Sequence, residues 1–232
     1  MARLALLAAL ALAAGGCATT QPEPDARDLV VLVHGMGRSP LSMVPLGWSL
    51  RRAGYRVLTV GYDSQGPGVA EIGARVGRAV ADETERQPAP RVHFVGHSLG
   101  TVAIRWLLIH DPPARVGRAV FLAPPNQGAQ SADRYARWLG WTLPPIRELQ
   151  TTGGPAVDLG PPPDVEVAVI AGDRDGKVLV QETCLEGAAH TVVPSRHTFI
   201  MMRPRVTGLV QAFLATGSLP GASESACADV LG

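Results

Sequence analysis

The stretch Val92-His93-Phe94-Val95-Gly96-His97-Ser98-Leu99-Gly100-Thr101-Val102-Ala103-Ile104 decides how this chain is read. Val92 to Val95 is a short apolar run of strand length, and Thr101 to Ile109 has the length and composition of a helix. Between them Gly96-His97-Ser98-Leu99-Gly100 fits the pattern G-x-S-x-G. Set between strand and helix, that pattern makes a sharp turn that presents the serine hydroxyl, and the flanking glycines leave room for close neighbours. The setting, more than the five letters, points to Ser98 as a nucleophile.

The surrounding runs extend the same rhythm. Leu29 to Val33 is aliphatic without alternation, as expected of a strand buried on both faces of a parallel sheet. Val57–Val60, Ala119–Leu122 and Val165–Ile170 look alike, and a sixth strand is expected near His190 to Val193. Helix-length segments over 41–53, 69–86 and 100–110 separate the strands, and Pro204 to Ala215 reads as a closing helix with Pro204 in its first turn. This order predicts an α/β fold: an open, mostly parallel sheet of about six strands with helices on both faces. The domain is expected over residues 28–217, with a cap-like, Pro- and Gly-rich insertion at about 126–163 and a loosely ordered tail over 218–232. In the insertion Tyr135, Trp138 and Leu139 share a helical face, with Trp141 nearby. A small cap over the site and a helix packed on the sheet edge both remain open.

Of the 232 residues 46% are hydrophobic and 18% charged, which suits one core of ordinary size. Twenty-one basic residues face twenty acidic ones, and no basic run tracks a phosphate backbone, so nucleic acid is not an expected partner. Arg3 precedes an apolar run, Leu4 to Ala14, about half the roughly 20 residues that span a membrane, followed by Gly15-Gly16-Cys17. Residues 1–16 therefore read as an export signal. Small residues before Cys17 resemble the lipobox of bacterial lipoproteins, although Ala14 stands where Leu is usual. That resemblance implies acylation of Cys17, a tether over 17–27 and anchorage on the periplasmic face of a bacterial membrane. Ala18, in place of Asp, favours the outer membrane. The alternative is cleavage at Ala11-Leu12-Ala13, giving a soluble periplasmic or secreted protein. Without Arg3 the mature chain is near neutral, and steering of a charged substrate is not expected. In an oxidising compartment Cys184 and Cys227 form a disulfide or stay as two buried thiols.

His34-Gly35-Met36-Gly37 follows the first strand. With the turn around Ser98, it makes the chain resemble the α/β-hydrolase superfamily, in particular its small bacterial lipases and esterases, over nearly the whole mature length. The resemblance implies an oxyanion hole built from the backbone N–H groups of Met36 and Leu99. It implies a catalytic histidine on the loop before the last helix, which is His197, with His190 as runner-up. His34, His93, His97 and His110 are expected to be structural. Ala171-Gly172-Asp173-Arg174-Asp175 is similar to the family's acid loop, where Asp175 holds the acid position; Asp173 and Asp133 are the alternatives. The order Ser98, Asp175, His197 is the one this fold uses. The activity implied is hydrolysis of a small-molecule or lipid ester by a monomer, with no metal or organic cofactor. An acyltransferase would use the same groups, and a non-catalytic binding lipoprotein would keep the fold without turnover.

Overall fold

Leu29–Val33 forms strand β1, buried along its whole length. It is followed by β2 (Arg56–Val60), β3 (Val92–His97), β4 (Val116–Leu122), β5 (Val167–Gly172) and β6 (Ala189–Val193). All pair in parallel, in the order β2-β1-β3-β4-β5-β6. The computed structural model describes residues 27–223 and 227–231, so the signal, Cys17 and the tether up to residue 26 lie outside the described residues.

The helices are α1 (Val44–Arg52), α2 (Val69–Arg86), α3 (Leu99–His110), α4 (Gln130–Leu139), α5 (Pro144–Glu148), α6 (Pro155–Asp158), α7 (Pro204–Thr216) and α8 (Ala228–Leu231). Strand side chains alternate between two cores. Leu29, Val31, Val33 and Phe94 pack with α2 and α3 on one face. Val30, Leu32 and Val95 pack with α1 and α7 on the other. Because each face meets helices, the strands are mostly apolar on both sides, and β1 and β5 are apolar throughout. Helix α2 buries Val69, Ile72, Val76 and Val80, the three-to-four residue spacing of one helical stripe.

Two expectations need correction. The segment 41–53 is not one helix: a 3₁₀ turn, Pro40–Met43, precedes α1. Pro40 and Pro45 each sit in a first turn, the place in a helix where a missing N–H costs nothing. Nor is the tail loose where it is described. The Thr191 hydroxyl donates to the carbonyl of Gly221, the Ser223 N–H donates to that of His190, and Cys227 is disulfide-bonded to Cys184. The first two bonds lie on β6, an edge strand, where the Ser223 N–H pairs the His190 carbonyl.

The insertion between β4 and β5 is fixed from below by Arg105 of α3. Its fully buried guanidinium donates to Asn126 Oδ1 and to the carbonyls of Ala156 and Gly160. Burial lowers its pKa to about 10, so the cation survives at neutral pH.

Candidate active site

Ser98 leaves the carboxyl end of β3 with φ 51° and ψ −124°, a conformation L residues rarely adopt. The turn closes because its glycines have no side chain. A Cβ on Gly96 would come within 2.9 Å of the Thr101 backbone, and one on Gly100 within 2.5 Å of the carbonyl oxygen of His34. The Ser98 N–H donates to the Leu122 carbonyl at 3.0 Å, and the Thr101 hydroxyl donates to the Ser98 carbonyl at 2.6 Å. The hydroxyl is thereby aimed off the sheet edge.

His197 starts a 3₁₀ turn (His197–Met202) after β6, and Asp175 lies three residues past the end of β5. Folding brings both to Ser98. The Ser98 hydroxyl donates to His197 Nε2 at 3.0 Å, and His197 Nδ1–H donates to Asp175 Oδ2 at 2.7 Å. Asp175 Oδ1 accepts the N–H groups of Lys177 (2.8 Å) and Val178 (3.0 Å), which fixes the carboxylate. The alternatives are engaged elsewhere. His190 Nε2 lies 2.8 Å from the Thr183 hydroxyl, Asp173 accepts the N–H of Ser195, and Asp133 accepts the N–H and hydroxyl of Thr151.

Leu99 opens α3, so its N–H points along the positive end of that helix. Met36 lies on the loop after β1, and neither amide donates to a turn or loop acceptor among the described residues. That loop is braced from β2's side. The Tyr62 hydroxyl donates to the His34 carbonyl, the two rings stack with centroids 4.2 Å apart, and the Gly37 N–H donates to Ser64 Oγ at 2.9 Å. The sequence reading missed Tyr62 and Ser64. Their one legible signal is a position just past a strand end, where sites of open α/β sheets gather.

A cavity of about 120 Å³ opens at Ser98 and His197. Ala132, Tyr135, Ile146 and Leu149 from the insertion line it, together with Met36 and Val178. The insertion thus contributes part of the cavity lining. Trp138 and Trp141, 74% and 77% exposed, pack on neither the sheet edge nor the cavity.

A model of the alpha/beta hydrolase family matches residues 30–216. The chain belongs to this α/β-hydrolase family. Over 106 residues this α/β hydrolase is 33% identical to a protein of Variovorax paradoxus named as a carbamate hydrolase, RutD; the stretch is 43% of this chain and 39% of the relative. It superposes on the propeptide form of the Bacillus licheniformis lipase BlEst2 with a TM-score of 0.72 at 19% identity, covering 88% of this chain and 53% of that one. With an esterase of Pyrococcus furiosus the TM-score is 0.65 at 21% identity, covering 82% and 81%. The chain thus spans well under two thirds of the relative and about half of the lipase's propeptide form. At these identities the solved structures share the fold.

The other histidines of this α/β hydrolase are buried or turned aside. Burial lowers the pKa of His34, whose Nδ1–H donates to the Gly35 carbonyl, and of His93, whose Nδ1 accepts the Arg118 N–H. His110 Nδ1–H caps the Trp106 carbonyl on the exposed end of α3. His97 is pushed well below the usual histidine range, chiefly by burial and then by His197. Among the described residues, Cys184, His190 and Cys227 bring ligating atoms within 4.8 Å of one another. Both sulfurs are joined in the disulfide, which leaves one free donor and no metal set.

Proposed function

We propose that this α/β hydrolase is a serine esterase that cleaves carboxylic esters through Ser98, His197 and Asp175. Ser98 Oγ passes its proton to His197 Nε2 and attacks the acyl carbon, while the Met36 and Leu99 amides receive the negative oxygen. His197 then protonates the departing alcohol, leaving an acyl-serine. Water, deprotonated by the same imidazole, releases the acid and restores the hydroxyl. Asp175 keeps the proton on Nδ1 and stabilises the imidazolium.

The observation that carries this reading is the unbroken row from Ser98 Oγ to Asp175 Oδ2, ending in a walled apolar cavity. A fluorophosphonate probe and p-nitrophenyl butyrate test it. Wild type should label at Ser98 and turn over the ester. Ser98→Ala should lose both, with turnover down by at least about 10³-fold and the melting temperature within a few degrees. An unlabelled wild type, or undiminished turnover in the variant, overturns the reading. Adding alcohol acceptors to the assay exposes acyl transfer, and a p-nitrophenyl carbamate exposes the chemistry in the relative's name.

We also propose, from residues 3–18, export and anchorage through acylated Cys17 on the periplasmic face of the outer membrane, as a monomer. The Cys184–Cys227 disulfide supports an oxidising compartment. Fatty-acid labelling of wild type against Cys17→Ala tests the anchor, and an unlabelled wild type removes it.

A further inference from the structure

The cavity at Ser98 is apolar on most of its wall, yet two cations also line it, Arg38 and Lys177. Lys177 is the single lysine of the sequence. Each stands two residues beyond a group the proposed reaction uses, Met36 and Asp175. Neither is free to drift with a surface loop. The Lys177 N–H donates to Asp175 Oδ1 at 2.8 Å, and its carbonyl accepts the Ser131 hydroxyl at 2.6 Å. The Arg38 N–H closes a turn on the Gly35 carbonyl, and its guanidinium lies 5.6 Å from the centre of the Phe199 ring.

Among the described residues neither side chain forms an ion pair. Nearby carboxylates are engaged: Asp175 by His197 and two amides, Asp133 by Thr151. Asp63, which shares an adjoining groove with Arg38, accepts the Gln65 N–H. Both cations also act on His97, where each adds to the forces holding that ring neutral. Among the described residues the cavity wall thus carries two cations and no carboxylate, in a chain that is near neutral overall.

We propose that Arg38 and Lys177 form a subsite for a carboxylate on the substrate, so that the preferred esters are anionic monoesters of dicarboxylic acids. Apolar carbons of the acyl chain would lie on the part of the wall that the insertion lines, and the carboxylate would meet the two cations. The inference rests on the ester-hydrolase reading and narrows its substrate class.

The test compares p-nitrophenyl butyrate with mono-p-nitrophenyl glutarate, which share a leaving group and differ little in length, using the purified full chain. The expected kcat/KM favours the glutarate ester by at least about tenfold at low salt. That preference should shrink at higher ionic strength and fall to about one in the Arg38→Gln/Lys177→Gln double variant. Calorimetric titration of glutarate into Ser98→Ala gives a readout independent of turnover; binding should appear and be lost when the two Gln substitutions are added. Equal use of both esters by wild type, or a preference that survives in the double variant, overturns the subsite. Failure to turn over either ester overturns the hydrolase reading, while glutarate titration still decides the subsite.

Discussion

The ring of His97 donates from Nε2 to the backbone carbonyl of His197 at 3.0 Å, across a hundred residues of chain. The residue before the proposed nucleophile therefore holds the backbone of the proposed base. Among the described residues its Nδ1 is buried with no partner, so a second proton there would be an unsatisfied buried charge.

Stability should therefore depend on pH in a definite direction. Burial holds the folded-state pKa of His97 far below its unfolded value of 6.5. Between those two values the unfolded chain binds the extra proton, so stability is full above about pH 6.5 and falls as pH drops below it. His97 alone should make stability fall progressively from pH 7 to pH 5.5. His34, His93 and His190, shifted the same way, add to the loss. Urea unfolding at pH 7, 6 and 5.5 measures it, and a flat profile would mean these rings accept protons in the native state.

The two aspartates of the acid loop should separate cleanly. Asp175→Asn keeps an oxygen for the Lys177 and Val178 amides but loses the negative partner of His197 Nδ1. Turnover should fall by about 10²- to 10⁴-fold with little change in melting temperature. Asp173→Asn retains an acceptor for the Ser195 N–H and should stay within a few-fold of wild type. Reversed results would move the acid to Asp173.

Reducing the Cys184–Cys227 bond, which closes a 43-residue separation, should cost about 2–4 kcal/mol of stability. Thermal unfolding with and without reductant, against a Cys184→Ala/Cys227→Ala control, provides the measurement. Reductant should shift wild type and leave the control alone; no shift in wild type means the bond is absent or inert.

Cavity size sets a limit on acyl length. About 120 Å³ is close to the roughly 150 Å³ that holds a benzene-sized molecule. Among neutral p-nitrophenyl esters kcat/KM should peak at short chains and drop at least about tenfold from butyrate to palmitate. A preference for palmitate would show that the acyl chain lies outside this cavity, against Trp138 and Trp141.

Local pattern alone carried the sheet, the two-sided helical cover and the turn at Ser98. Buried parallel strands need unbroken apolar runs, and a strand-to-helix turn this tight accepts little besides Gly-x-Ser-x-Gly. The resemblance those residues carry then pointed to His197 and Asp175. Distance along the chain hid everything that depends on loops meeting at the sheet's carboxyl edge. Sequence left His190, Asp173 and Asp133 open as partners; folding engages each with its own neighbours and sets His197 and Asp175 beside Ser98. The burial of Arg105 beneath the insertion, the brace from Tyr62 and Ser64, and the placing of Arg38 and Lys177 on one cavity wall have no periodic signature. Net charge near zero gave no sign of that last pair, because a sum over the chain is blind to which charges share a pocket.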